Sequence, residues 1–192
     1  MANSEPQRHH RHSIRLSGWD YRDAAVYFVT ICAHNRENIF DEPTWADVAK
    51  VAWQAVPTHS GRVVLDEWVL MSNHLHGLLA LTDSPNDAAF TGRFDMRWAT
   101  PAHESGGRTF ANAPSGSLGA IIRSYKAVVT RRVNRMRNTP AAKVWQRGYY
   151  ERIVRDEREL ERIRAYIQDN PARWAADHDE LNVLLTRMRL QS

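Results

Sequence analysis

Two histidines set two residues apart, His74 and His76, lie inside the apolar run Val69-Leu70-Met71-Ser72-Asn73-His74-Leu75-His76-Gly77-Leu78-Leu79-Ala80-Leu81. In a strand, side chains at i and i+2 point to the same face. The two imidazoles then stand side by side, and Leu75 turns the other way. Imidazoles held in parallel can grip one divalent cation. The same spacing also describes two half-exposed polar residues on the wet face of a sheet. A second group, Tyr166 and Asn170, lies towards the C-terminal end. At i and i+4 they share a face if one helix runs through both. A tyrosine hydroxyl can attack a phosphodiester and form a covalent phosphotyrosine. Mg²⁺ or Mn²⁺ would polarise the phosphate under attack. Tyr166 equally continues an apolar stripe with Ile163 and Ile167, as a buried structural tyrosine would. Asn170 before Pro171 can simply cap a turn.

These groups need a scaffold, and 192 residues suffice for one domain with a core plus tails. A hydrophobic content of 43% is ordinary for a globular chain. No apolar run is long enough to span a bilayer, and residues 1–12 lack the apolar stretch of a signal peptide. A single cysteine, Cys32, rules out a disulfide within the chain and a cysteine-rich zinc site. These features lead us to expect a cytoplasmic protein with no membrane partner. The net charge is +4 and the pI about 9.5. The cations are clustered, which points to a polyanionic partner such as nucleic acid or, equally, to a solvated basic surface.

Residues 1–20 form a basic arm carrying Arg8, Arg11 and Arg15, with no helical or strand period. Tyr27-Phe28-Val29-Thr30-Ile31-Cys32-Ala33 is rich in β-branched and aromatic residues and predicts a central strand. Thr44 is the expected N-cap of a helix bearing Trp45, Val48, Val51, Ala52 and Val56, closed by Pro57 and Gly61. Residues 62–71 and 74–81 predict two strands joined by the Ser72-Asn73 turn, hence an antiparallel hairpin. Residues 82–117 are rich in loop formers and predict a long flexible insertion.

From Ser117 the helical period returns, with Leu118, Ile121, Ile122, Tyr125, Val128, Val129, Val133 and Met136 on one stripe. Arg123, Lys126, Arg131, Arg132, Arg135 and Arg137 lie largely off it. Residues 144–154 predict a fourth strand with an irregularity at Gly148. Asp156 and Glu159 fit a capping box that opens a last helix, which Asn170-Pro171 should interrupt. Residues 181–190 could form a short terminal helix. The order β-α-β-β-α-β-α predicts an α+β, ferredoxin-like (split β-α-β) antiparallel sheet, with helices on one face and a C-terminal helix beyond them. The other face, bearing the histidines, is expected to be open.

Three blocks in this order resemble the single-tyrosine transposases of the HUH endonuclease group, IS200/IS605-like, and most closely their REP-associated branch. They are Leu70-Met71-Ser72-Asn73-His74-Leu75-His76-Gly77, Val144-Trp145-Gln146-Arg147-Gly148-Tyr149-Tyr150 and Ala165-Tyr166-Ile167-Gln168-Asp169-Asn170-Pro171. The likeness covers about residues 19–174. It implies one transposase domain at residues 21–175, preceded by the arm at 1–20 and followed by a tail at 176–192. It implies that His74 and His76 are paired metal ligands, that Tyr166 is the nucleophile, and that Asn170 completes the metal site. Tyr149 and Tyr150 match aromatic positions of the preceding strand. Tyr21, Tyr27 and Tyr125 match nothing catalytic. The family usually has proline where this chain has Ser72, which loosens the turn but removes no ligand.

The resemblance also implies a reaction: cutting and rejoining of single-stranded hairpin DNA through a 5′-phosphotyrosine, with Mg²⁺ or Mn²⁺ as the only cofactor. DNA would lie across the open face, with phosphates held by Arg8, Arg11, Arg15, Arg123, Lys126, Arg131, Arg132 and Arg135. The wider family includes dimers with shared sites, so a homodimer is compatible with it. One competing reading is a domesticated relative that binds structured, REP-like DNA without cutting. Another is an RNA-binding module on the same element order. The intact set of His74, His76, Tyr166 and Asn170 argues against the first. The absence of an evident aromatic and glycine signature on the strands argues against the second.

Overall fold

The computed structural model describes residues 19–83 and 114–176. Most of the expected arm, insertion and tail, and the expected terminal helix, lie outside the described residues.

The strands are β1 (Ala25–Cys32), β2 (Val63–Met71), β3 (His74–Leu81) and β4 (Tyr150–Ile153). They form one sheet in the order β2-β3-β1-β4, with every pair antiparallel. The helices are α1 (Pro43–Gln54), the single turn α2 (Val56–His59), α3 (Leu118–Met136) and α4 (Glu157–Ala176). This is the predicted α+β, split β-α-β arrangement.

The central strands are apolar on both faces because both faces are covered. On one side Tyr27, Val29, Ile31, Leu75, Leu79 and Leu81 meet Trp53 of α1 and Leu118, Ile122, Val129 and Val133 of α3. Trp53 packs against Gly77, where even a Cβ would come within 2.6 Å of its Cζ2. On the other side Val26, Phe28, Leu78 and Ala80 meet Leu160, Ile163 and Ile167 of α4. The face expected to be open is therefore partly roofed by α4.

Several boundaries differ from the sequence expectation, each for a local reason. Glu42, not Thr44, caps α1, because Pro43 takes the first helical position, where a missing N–H costs nothing. The Thr44 hydroxyl donates to Glu42 Oε1 at 2.8 Å. Pro57 opens α2 instead of closing α1. The fourth strand is confined to residues 150–153, and Trp145 makes only an isolated bridge to Ala33. Gly148, at φ +79°, breaks the extended run, and Lys126 Nζ takes the Gln146 and Gly148 carbonyls at 2.6 and 2.8 Å. Asp156 caps α4 as predicted, accepting from the Glu159 amide, and Ser117 caps α3, accepting from the Ala120 amide. The Glu159 carboxylate reaches the Arg155 amide and Arg152 Nε rather than the cap's own amide. Finally, α4 runs straight through Pro171.

Candidate active site

His74 and His76 sit on the central strand β3, beside β1, with Cys32 opposite His74 and Thr30 opposite His76. They share the α4 face, at 1% and 0% exposure. The reading as half-exposed residues on a wet surface is thereby excluded. Their Nε2 atoms are 3.0 Å apart. His74 Nδ1 lies 2.7 Å from Asn73 Oδ1, and His76 Nδ1 lies 2.8 Å from Thr30 Oγ1. Phe28 stacks on the His76 ring at 5.5 Å.

The helix α4 brings the second half. Tyr166 Oη is 3.1 Å from His76 Nε2, with the two rings 5.2 Å apart. Two turns later the Trp174 ring lies 5.2 Å from that of His74. Asn170 falls midway between them at i+4 and i−4, and is 5% exposed. The helix thus runs over the histidine pair and places Tyr166, Asn170 and Trp174 along one face. Continuing through Pro171 is what allows Trp174 to reach His74.

What holds α4 in this register is a bulge in β2. Leu65 faces Leu79 and Trp68 faces Gly77, so Asp66 and Glu67 together oppose Leu78. A regular strand would send consecutive side chains to opposite faces, whereas a bulge re-aims them. Both here reach α4. Asp66 takes a two-pronged pair from Arg164 (Nε to Oδ2 3.1 Å), and Glu67 Oε1 accepts from Gln168 Nε2 at 2.8 Å. Both side chains of the Asp66–Arg164 pair are 3% exposed. Glu161 adds a bond to Arg164 Nη1 at 2.6 Å. Burial opposes the Arg164 charge, but the hydrogen bonds it donates to Asp66 and Glu161 outweigh that and raise its pKa. The three apolar side chains of α4 contribute about 1.5–3 kcal/mol each. A buried ion pair adds little net stability. Packing therefore holds α4 down, and the ion pair sets which residues face the histidines.

The same burial sets the charge of the pair. Burial, helped by the Arg36 charge, pushes the His74 pKa down to about 4. Burial and the neighbouring His74 hold His76 well below the ordinary imidazole range. Both rings are therefore neutral at pH 7, the form that ligates a metal. Adjacent ligands of a six-coordinate ion, each about 2.1 Å from it, stand about 3.0 Å apart. The two Nε2 atoms have that separation, and Asn170 lies buried on the same helix one turn beyond Tyr166. Among the described residues, no cluster of three or more His, Cys, Asp or Glu side chains could hold a metal ion. A cation gripped by this pair would take its remaining ligands from elsewhere, such as water or phosphate oxygens.

The structure separates the remaining expected residues from this site. Arg123, Arg131, Arg132 and Arg135 are exposed on α3, whose apolar stripe packs on the opposite face of the sheet. Lys126 is half-buried against backbone carbonyls, and burial pushes its pKa down to about 8. Arg8, Arg11 and Arg15 lie outside the described residues. Sequence reasoning missed Thr30, Asp66, Arg164 and Trp174, and took Asn73 only as a turn residue. The available signal was the polar Thr30 inside an apolar strand.

The sheet thus carries a histidine pair on a central strand, with a tyrosine-bearing helix laid across it. A solved REP-associated tyrosine transposase bound to a REP hairpin is similar to this chain with a TM-score of 0.51. That match has 15% identity and covers 89% of this chain and 74% of the other, a likeness of fold. An uncharacterised protein of Haemophilus influenzae (strain ATCC 51907 / DSM 11121 / KW20 / Rd) is 34% identical over 177 residues, and the chain belongs to one family with it. That alignment covers 88% of this chain and 92% of the relative. No protein-family model matches the chain. Among the described residues, no helix is long and apolar enough to cross a membrane.

Proposed function

We propose that the protein is a DNA transposase of the single-tyrosine type, cutting and rejoining single-stranded hairpin DNA. The observation that carries this reading is the approach of Tyr166 Oη to within 3.1 Å of His76 Nε2, beside the His74–His76 pair. A nucleophile and a set of metal-competent imidazoles converge from two elements, with Asn170 on the same helix. A divalent cation, Mg²⁺ or Mn²⁺, held by His74, His76 and Asn170 would polarise the scissile phosphate. Tyr166 Oη attacks phosphorus and the P–O3′ bond breaks. The 5′ phosphate stays on the tyrosine, and the proton lost by the phenol is balanced by one gained at the leaving 3′ oxygen. Attack by a 3′-OH of another strand reverses these steps and completes transfer. The arginines of α3 stand on the other side of the sheet, so they serve a stretch of DNA away from the scissile phosphate. The solved relative in fold was captured with a REP hairpin, which supports hairpin DNA as the substrate.

The test is covalent trapping. The full chain, incubated with Mn²⁺ and a labelled hairpin oligonucleotide with a single-stranded flank, should form an adduct that resists denaturation. Tyr166→Phe should form none while still shifting the oligonucleotide on a native gel. Adducts from Tyr166→Phe would remove Tyr166 as nucleophile. Binding without adducts by the wild type across a panel of hairpins would favour the domesticated, non-cleaving alternative.

A further inference from the structure

Each histidine of the pair has a buried partner on its other ring nitrogen, and the two partners differ in kind. Asn73 Nδ2 donates to the Arg36 carbonyl at 3.1 Å, which leaves Oδ1 as the atom facing His74 Nδ1. An amide oxygen only accepts. The proton of neutral His74 must therefore sit on Nδ1, and its Nε2 is bare. His76 Nδ1 instead faces the hydroxyl of Thr30, which is 1% exposed and directly opposite on β1. A hydroxyl can donate or accept.

With nothing between the rings, two bare Nε2 lone pairs 3.0 Å apart would repel. His76 Nε2 also has the Tyr166 hydroxyl at 3.1 Å, a group that can accept beside His74. A proton on Nε2 of His76, donated towards His74, removes the repulsion in the metal-free protein, while Thr30 donates to Nδ1. For both Nε2 atoms to face one cation, the His76 proton must sit on Nδ1 and Thr30 must accept it. The His76 proton count is the same in both arrangements; only its position and the turn of one hydroxyl differ.

We infer that Thr30 and Asn73 are positioning residues for the histidine pair: Asn73 ties the His74 proton to Nδ1, and the Thr30 hydroxyl lets His76 hold its proton on either nitrogen. The second half of this inference rests on the cation reading above. The tautomers of the metal-free protein do not.

Two measurements on the full chain test it. Long-range ¹H–¹⁵N correlation spectra of the metal-free wild type should show His74 protonated on Nδ1 and His76 on Nε2. His74 protonated on Nε2 overturns the assignment without needing any variant. Titration calorimetry with Mn²⁺ should show weaker binding by roughly 10–100-fold for Thr30→Val, with Thr30→Ser within about threefold of wild type. Thr30→Val binding Mn²⁺ as tightly as wild type overturns the role of Thr30. Should wild type bind no Mn²⁺, the cation reading fails, and the tautomer spectrum alone upholds or overturns the assignments of His74 and His76.

Discussion

Gly77 shows how closely the histidine block is fitted to its surroundings. It follows His76 and faces the opposite side of the sheet, where Trp53 lies too near for a Cβ. Gly77→Ala should destabilise the fold by about 1–3 kcal/mol, because the tryptophan must shift in a packed core. Urea unfolding measures this, and the cost should shrink in a Trp53→Phe background, where the smaller ring leaves room. An equal cost in both backgrounds would place the strain in the backbone instead. The strand thus carries the histidine pair on one face and a steric limit on the other.

Two contacts decide how the elements sit. The Asp66–Arg164 pair joins β2 to α4. Asp66→Ala leaves Arg164 buried with Glu161 as a remaining partner. We expect a loss of about 3 kcal/mol, the lower end for a broken buried pair. For a chain of this size that lowers Tm by roughly 6–12 °C. A change below about 0.5 kcal/mol, the range of ordinary surface substitutions, would show that packing alone sets the register of α4.

Lys126 joins α3 to the segment before β4, and burial brings its pKa to about 8 from the ordinary 10.5. The unfolded chain keeps that proton up to about 10.5, whereas the folded one releases it near 8. Between these values the unfolded state binds more protons, so stability from this group rises with pH. Relative to Lys126→Met, the wild type should gain stability between pH 8 and 10.5. A flat difference in paired guanidinium unfolding curves would contradict the depressed pKa.

The whole molecule is two-faced. The tyrosine, the histidines and α4 occupy one side of the sheet, and the arginines of α3 project from the other. No acidic residue occurs in residues 114–150, so this basic surface carries no anion of its own. If single-stranded phosphates lie along it, replacing Arg131, Arg132 and Arg135 by Gln should flatten the log–log salt dependence of binding by about two. Adduct formation on a short oligonucleotide confined to the α4 face should survive that change. An unaltered salt slope would place the phosphates elsewhere.

Much of this was legible in local pattern. The i, i+2 spacing put His74 and His76 on one face because strand side chains alternate. The stripe from Leu118 to Val133 fixed α3, and Asp156 marked a helix start through its side-chain oxygen. Such signals are short-range and survive without tertiary context. What they could not reveal were pairings between distant residues. Asp66 and Arg164 are separated by 98 positions, and Tyr166 and His76 by 90. A bulge that turns Asp66 and Glu67 to one side leaves no period to read. Nor does a proline that stays within α4 while Trp174 beyond it packs on His74. Residue types and alternation alone determined which groups could do chemistry and which face the histidines share. The laying of α4 across the sheet decided that they are buried, neutral and in reach of a tyrosine, because burial and distance belong to the packed chain.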